Sequence, residues 1–279
     1  HRVGNAPDKA GLKIGKRDEP IRPVAQHNAL LQDRTFPRQF EAMLKIESGQ
    51  LASDHELVGC NSDLRALQAS KGLRVPAIAA LGTCPLTSGD SLPHCRVLFR
   101  AFGTLAPARD NAVLIPTWLG GRSADWIPLL GPNGLVDTTT LYVVVVDALG
   151  NGGSSSPSNS PNRAGELFPA LSIADMVESQ YRLLTERLAI PHRRAGVGGS
   201  MGGMQALEWA TRYPTYMDRI VSIVGAPQIG AYDRVLWEAV LSAIESGRRY
   251  GVPEDSVWVQ FNRLLTLHLS TQEMVNQTP

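Results

Sequence analysis

Six consecutive residues, Gly198-Gly199-Ser200-Met201-Gly202-Gly203, contain the spacing Gly-x-Ser-x-Gly. Ala195 to Gly199, just before the serine, reads as a short strand, and Met201 to Tyr213 reads as a helix. A chain that turns from strand to helix in so few residues forces the turn residue into a strained backbone conformation. Its neighbours come too close to accept a β-carbon. The Ser200 hydroxyl is then expected to project at the carboxyl edge of a sheet, beside a helix amino end whose free amides and dipole favour negative charge. Ser200 reads as a nucleophile and the Met201 amide as one donor to an oxyanion. The bland alternative is a tight turn holding an inert serine.

A second oxyanion donor has to come from the loop after a neighbouring strand. Pro116-Thr-Trp-Leu-Gly-Gly121 is placed for this, and the Leu119 amide is the candidate. Two other glycine-dependent chemistries fail on inspection. A dinucleotide fingerprint beginning at Gly196 needs glycine where Met201 stands, and the Asn151 to Ser156 stretch lacks the lysine of a phosphate-binding loop.

Positioning these groups requires alternating strands and helices. Arg96 to Ala101 alternates in polarity and reads as an early strand. Ala112 to Ile115 is an apolar run closed by Pro116, and Leu141 to Val146 is apolar throughout, as for a strand covered on both faces. A loop follows, Asp147-Ala-Leu-Gly-Asn-Gly-Gly and then Ser154 to Asn162. Ser172 to Leu188 reads as a helix, with Ser172 and Asp175 as a capping pair. Arg219 to Val224 reads as a strand, and Val235 to Ser246 and Val257 to Leu269 as helices. The rhythm predicts a doubly wound, mostly parallel sheet with helices on both faces, followed by the start of a helical cap. The expected divisions are an extension over 1–80, a core over 81–227 and cap over 228–279. Arg38 to Leu51 is the one helix expected in the extension, whose charged residues are denser than those of the rest.

The 279 residues balance 27 basic against 26 acidic side chains, so charge gives no case for nucleic acid or a membrane surface as partner. The longest apolar run has strand length, far short of a bilayer span. Cys60, Cys84 and Cys95 lack zinc-ligand spacing, so no metal is expected. A Cys84–Cys95 disulfide requires export. No basic segment followed by an apolar one stands at the amino end as given, and a cytoplasmic location is the default expectation.

At these residues the chain resembles the homoserine O-acetyltransferase-like group of the α/β-hydrolase superfamily. Gly199-Ser-Met-Gly-Gly-Met-Gln-Ala-Leu-Glu-Trp-Ala210 is very close to that family's elbow and following helix. Phe102-Gly-Thr-Leu105, Asn111-Ala-Val-Leu-Ile115, Gly131-Pro132, Leu135-Val-Asp137, Leu149-Gly150 and Ser155-Ser-Pro157 follow in family order. The resemblance covers 82 to about 275 and implies the α/β-hydrolase fold. The acyltransferases usually carry His-Ala-Leu-Thr-Gly where this chain has Thr117-Trp-Leu-Gly-Gly121. The Gly150 to Pro157 loop also departs from the homoserine enzymes, and both variants look more like the sister α/β-hydrolases. The shared leucine supports Leu119. In the family a cap-helix arginine grips the amino-acid carboxylate, and Arg263 is the nearest match, with an ordinary surface arginine as its alternative.

Family order is nucleophile, acid, histidine, the last two far downstream. Asp218, Asp233, Asp255 and His268 are the groups after Ser200 that could be considered, and none falls at a strand end suited to orienting an imidazole. His268 reads as a packed helix residue, and His94 and His192 show no partner carboxylate in their sequence context. The expectation is that the last strands lie beyond Pro279 with the acid and the histidine, and that the polypeptide as given is weakly active or inactive. The expected activity is acyl transfer through an acyl-enzyme on Ser200, of the homoserine O-acetyltransferase type that the resemblance implies, with a carboxylesterase using water as acceptor, or a non-catalytic remnant, as the alternatives. The expected partners are a small-molecule acyl donor and acceptor, acyl-CoA being the candidate co-substrate, with homodimerisation open and no bound cofactor.

Overall fold

The computed structural model describes residues 76–270. The helix expected over Arg38 to Leu51, the extension before residue 76 and Cys60 lie outside the described residues. Six strands form one sheet in the order β1-β2-β4-β3-β5-β6. They are β1 (Ala77–Pro85), β2 (Ser91–Phe102), β3 (Ala112–Pro116), β4 (Tyr142–Val146), β5 (Ala195–Gly199) and β6 (Ile220–Ile223). β3, β4, β5 and β6 pair in parallel, while β1 and β2 form an antiparallel hairpin whose second strand runs antiparallel to β4.

β4 explains how so apolar a strand is satisfied. Tyr142, Val144 and Val146 enter one hydrophobic cluster and Val143 and Val145 the other, so both faces of the strand are covered. The first cluster takes side chains from two helices, α1 (Ile173–Arg182) and α2 (Met201–Arg212), through Val177 and Trp209. The second is closed by Trp126 of the 3-10 helix Ser123–Leu129 and by Val136. The Ser172 hydroxyl accepts from the Asp175 amide while the Asp175 carboxylate accepts from the Ser172 amide, the reciprocal cap expected at α1. α1 ends at Arg182, and the turn Leu183–Arg187 widens into a π-helix instead of carrying the α-helix on to Leu188.

Helices α3 (Ala231–Arg249) and α4 (Glu254–Leu269) form a hairpin. Gly247 packs against Val257 near its turn, where a β-carbon would meet the valine at 2.4 Å, and His268 approaches Asp233 at 3.8 Å near its open end. Both helices start ahead of the apolar pattern because Asp233, Glu254 and Asp255 occupy first turns, where acidic side chains favour the helix dipole. β1 begins at Ala77, inside the stretch read as extension. Its sequence, Ala77-Ile-Ala-Ala-Leu-Gly-Thr-Cys-Pro85, has small residues and an irregular register at Gly82, which hides strand periodicity. Cys84 and Cys95 are joined by a disulfide across this hairpin, with Cα atoms 5.8 Å apart. Disulfides persist in oxidising compartments, so this bond runs against the cytoplasmic expectation. No helix among the described residues is long and apolar enough to cross a membrane.

Candidate active site

Ser200 occupies the single-residue turn between β5 and α2 with φ +52° and ψ −124°, a conformation side-chain-bearing residues rarely adopt. Two contacts hold it there. The Ser200 amide donates to the Ile223 carbonyl at 2.9 Å, anchoring the turn to β6. Gly198 and Gly202 meet so closely that a β-carbon on Gly198 would lie 2.0 Å from the Gly202 carbonyl oxygen. Ser200 itself is exposed, at the amino end of a twelve-residue helix. The strained strand-to-helix turn expected from the glycine spacing is therefore present.

The loop after β3 lies beside this turn, because β3 and β5 are parallel neighbours with Leu114 opposite Gly196. Their contact is direct: a β-carbon on Gly202 would sit 2.5 Å from the Pro116 carbonyl oxygen. Two amides pin the loop, one at each end. The Thr117 amide donates to Val146 at 3.0 Å, and the Gly121 amide donates to the Trp118 carbonyl at 3.0 Å. The Trp118 carbonyl and the Leu119 N–H belong to one planar peptide and point in opposite directions, so this turn also fixes the Leu119 donor. Among the described residues, neither the Leu119 nor the Met201 amide is engaged by another backbone group. The Leu119 side chain is 46% exposed, as at a loop tip.

A buried carboxylate braces the same loop. Asp147, at the carboxyl end of β4, accepts from the Ser123 amide at 3.1 Å and from Asn151 Nδ2 at 2.9 Å. Asn151 Nδ2 also donates to the Gly121 carbonyl at 2.9 Å. Burial pushes the Asp147 carboxyl above its ordinary range, against the opposing pull of Ser123, Asn151 and the Arg122 charge. Ala148 donates its amide to Thr117 Oγ1 at 3.0 Å, closing the brace.

No hydrogen bond or ion pair among the described residues joins the other candidates to this centre. Arg263 is exposed on α4 and makes no hydrogen bond or ion pair with another described residue. His192 does have a carboxylate, Asp218, at 2.8 Å, which its sequence context did not show. That pair sits at the amino ends of β5 and β6, separated from Ser200 by the five residues of β5 or roughly 16 Å, far beyond proton-transfer reach. His268 faces Asp233 at 3.8 Å and stacks on Tyr232, as a contact of the helical hairpin. No group of three metal-ligating side chains occurs among the described residues. An open cleft of about 560 Å³ lies at the start of α3, lined by residues from Gln228 to Val235, and does not include Ser200.

Sequence reading assigned no role to Asp147, Asn151 or Gln205. A charged residue directly after an all-apolar strand was the available signal for Asp147. For Gln205 there was none, since a glutamine in a helix usually faces water.

The comparisons with known proteins bear on the fold. A family model described as the alpha/beta hydrolase fold matches residues 111–278. Ethyl acetate hydrolase of Pseudomonas veronii is 36% identical over 166 residues, 59% of this chain and 48% of that protein. A homoserine O-acetyltransferase of Leifsonia xyli subsp. xyli is 36% identical over 186 residues, 60% of this chain and 46% of that protein. The structure of the acetyl esterase MekB superposes with a TM-score of 0.67 at 31% identity, covering 70% of this chain and 59% of that one. The chain spans about half the length of the curated relatives it matches.

Proposed function

Because this chain belongs to the alpha/beta hydrolase fold family, we propose that it carries the nucleophile and oxyanion hole of a serine acyl-transfer enzyme. The observation behind this reading is the exposed Ser200 held at φ +52° at the amino end of α2, beside a loop whose Leu119 amide is engaged by no backbone group among the described residues. Ser200 Oγ attacks the acyl carbon of an ester or thioester and loses its proton to a base. The Met201 and Leu119 amides hold the negative oxygen of the tetrahedral adduct, at the positive end of the helix dipole. The alcohol or thiol departs with a proton, leaving the acyl group on Ser200. An acceptor then attacks the acyl-enzyme, and Oγ regains its proton.

Water is the favoured acceptor. The Thr117–Gly121 and Gly150–Pro157 loops depart from the homoserine enzymes, and relatives named as hydrolase and acetyl esterase stand among the matches. Transfer from an acyl-CoA to homoserine is the second reading, supported by the 36% identity to an acetyltransferase. Formed in the working protein, the Cys84–Cys95 bond supports an oxidising compartment as its location.

The test uses the full-length protein. A fluorophosphonate probe should label Ser200 and fail to label Ser200→Ala. Turnover of p-nitrophenyl acetate without an added acceptor supports hydrolysis, and CoA release that depends on homoserine supports transfer. A folded full-length protein that takes no label is a non-catalytic member of the fold, and the reading is then wrong.

A further inference from the structure

We infer that Gln205 is a positioning residue that sets the spacing between the two halves of the oxyanion hole; this rests on the reading of Ser200 as nucleophile given above. Gln205 lies one turn into α2 and is fully buried. Its Nε2 donates to the Thr117 carbonyl at 3.1 Å and to the Met201 carbonyl at 3.2 Å. Those carbonyls stand at the root of the loop bearing the Leu119 amide and in the residue bearing the Met201 amide. One side-chain amide thus clamps together the two main-chain segments that must converge on one oxygen.

The clamp has a fixed polarity. Trp209 Nε1 can only donate, and it donates to Gln180 Oε1 at 2.8 Å. Gln180 must therefore turn its Nε2 outward, and that nitrogen donates to Gln205 Oε1 at 2.5 Å. Gln205 in turn must present its own Nε2 to the two carbonyls. Reversing either amide would set donor against donor or acceptor against acceptor inside a site closed to water. Trp209, Gln180 and Gln205 are all buried, so no solvent molecule competes for these bonds. Three side chains from α1 and α2 thereby convert the donor-only chemistry of an indole into a fixed distance at the reacting centre.

The experiment compares wild type, Gln205→Met and Gln180→Met of the full-length protein, with Ser200→Ala as control. The readouts are kcat/KM for p-nitrophenyl acetate per fluorophosphonate-titrated site and inhibition by an acetyl trifluoromethyl ketone. That ketone forms a tetrahedral adduct and so reports the oxyanion hole. The corresponding methyl ketone reports ground-state binding. Removing one donor outright costs about 10²–10³ in other serine enzymes, so loosening a pair should cost about tenfold in kcat/KM for Gln205→Met. The Ki of the trifluoromethyl ketone should rise by the same factor, with the methyl ketone unchanged within about twofold. Gln180→Met should show the same pattern at about threefold, because Gln205 keeps its contacts but loses the bond that orients it. Should Gln205→Met fail to fold, Gln180→Met decides. Lower thermal stability with kcat/KM and trifluoromethyl ketone affinity unchanged overturns the inference and leaves Gln205 a structural residue. Turnover that survives in Ser200→Ala overturns the nucleophile reading, a different failure from that of the clamp.

Discussion

A single methyl group at Gly202 tests whether the elbow and the neighbouring loop work as one unit. A β-carbon there would lie 2.5 Å from the Pro116 carbonyl oxygen, 3.3 Å from its carbon and 3.4 Å from the Thr117 oxygen. Ordinary contact needs about 3.4 Å, so Gly202→Ala must push backbone apart by about 0.9 Å, and no flexible side chain is there to yield. Two effects on stability oppose each other. Alanine is better than glycine in a helix by about 1 kcal/mol, while overpacking a close backbone contact costs about 1–3 kcal/mol. The expected net loss is therefore small, about 0–2 kcal/mol, and the variant should fold. Its effect on catalysis should be much larger, because a displacement of about 1 Å in a reacting constellation costs on the order of 10²-fold in rate. Gly199→Ala is the matched control: its β-carbon would point into open space with nothing within 4 Å, so kcat/KM should stay within about threefold of wild type. The assay is p-nitrophenyl acetate turnover by full-length protein alongside thermal unfolding. A Gly202→Ala protein with wild-type kcat/KM, or equal losses in both variants, would refute the coupling of loop to elbow.

Three further outcomes follow from other parts of the molecule. Burial raises the Asp175 carboxyl, but hydrogen bonds from Thr87 and Ser172 outweigh it and leave it below the ordinary 3.8. A carboxyl that ionises more readily folded than unfolded adds stability above pH 3.8 and loses it as pH falls through the folded value, so Asp175→Asn should cost about 1 kcal/mol at pH 7 in urea unfolding, with the difference closing below about pH 4. Arg193 is fully buried between Trp209 and Tyr216, its guanidinium carbon 3.6 Å and 4.7 Å from the ring centres, and its guanidinium nitrogens bond no described residue. Arg193→Met should stay within about 1 kcal/mol of wild type while Arg193→Ala loses about 2–4 kcal/mol to the cavity, in thermal melts of both. Cys84 and Cys95 stand 11 residues apart, so Cys95→Ser should remove about 3 kcal/mol by the loop-closure relation, and unchanged melting with and without reductant would show that the bond does not form in solution.

The parts of the fold that could be read from sequence were those where one face or one turn imposes an unambiguous pattern. Leu141 to Val146 is apolar at every position because both faces of β4 are covered, and Ser172 with Asp175 marks the start of α1 because the two side chains cap each other's amides. β1 escaped because its apolar residues, Ala77 to Leu81, run together without polar partners between them, so the edge strand carries no alternation of polarity. The 3-10 helix Ser123–Leu129 escaped because it holds Pro128 and follows the turn at Gly121, both of which read as loop. The extension boundary was set by charge density, a property of solvation, whereas strand pairing decides where the core begins.

The site divides along the same line. Ser200, Met201 and Leu119 could be placed at sharp turns because such turns demand particular residue types at fixed spacing, and glycine is the type required where a β-carbon would lie 2.0–2.5 Å from neighbouring backbone. The groups that hold those turns in register could not, because their partners are 25 to 88 positions away in the chain: Gln180 with Gln205, and Gln205 with Thr117. A histidine–carboxylate pair shows the converse hazard. His192 and Asp218 have hydrogen-bonding geometry that would suit a catalytic base, yet they lie at the end of β5 opposite the nucleophile. Composition makes such a pair plausible, but only the direction of a strand reveals whether it can reach the serine. On the proposed reading, a base for Ser200 belongs at the carboxyl edge of the sheet, where β3, β4 and β5 end in Pro116, Val146 and Gly199.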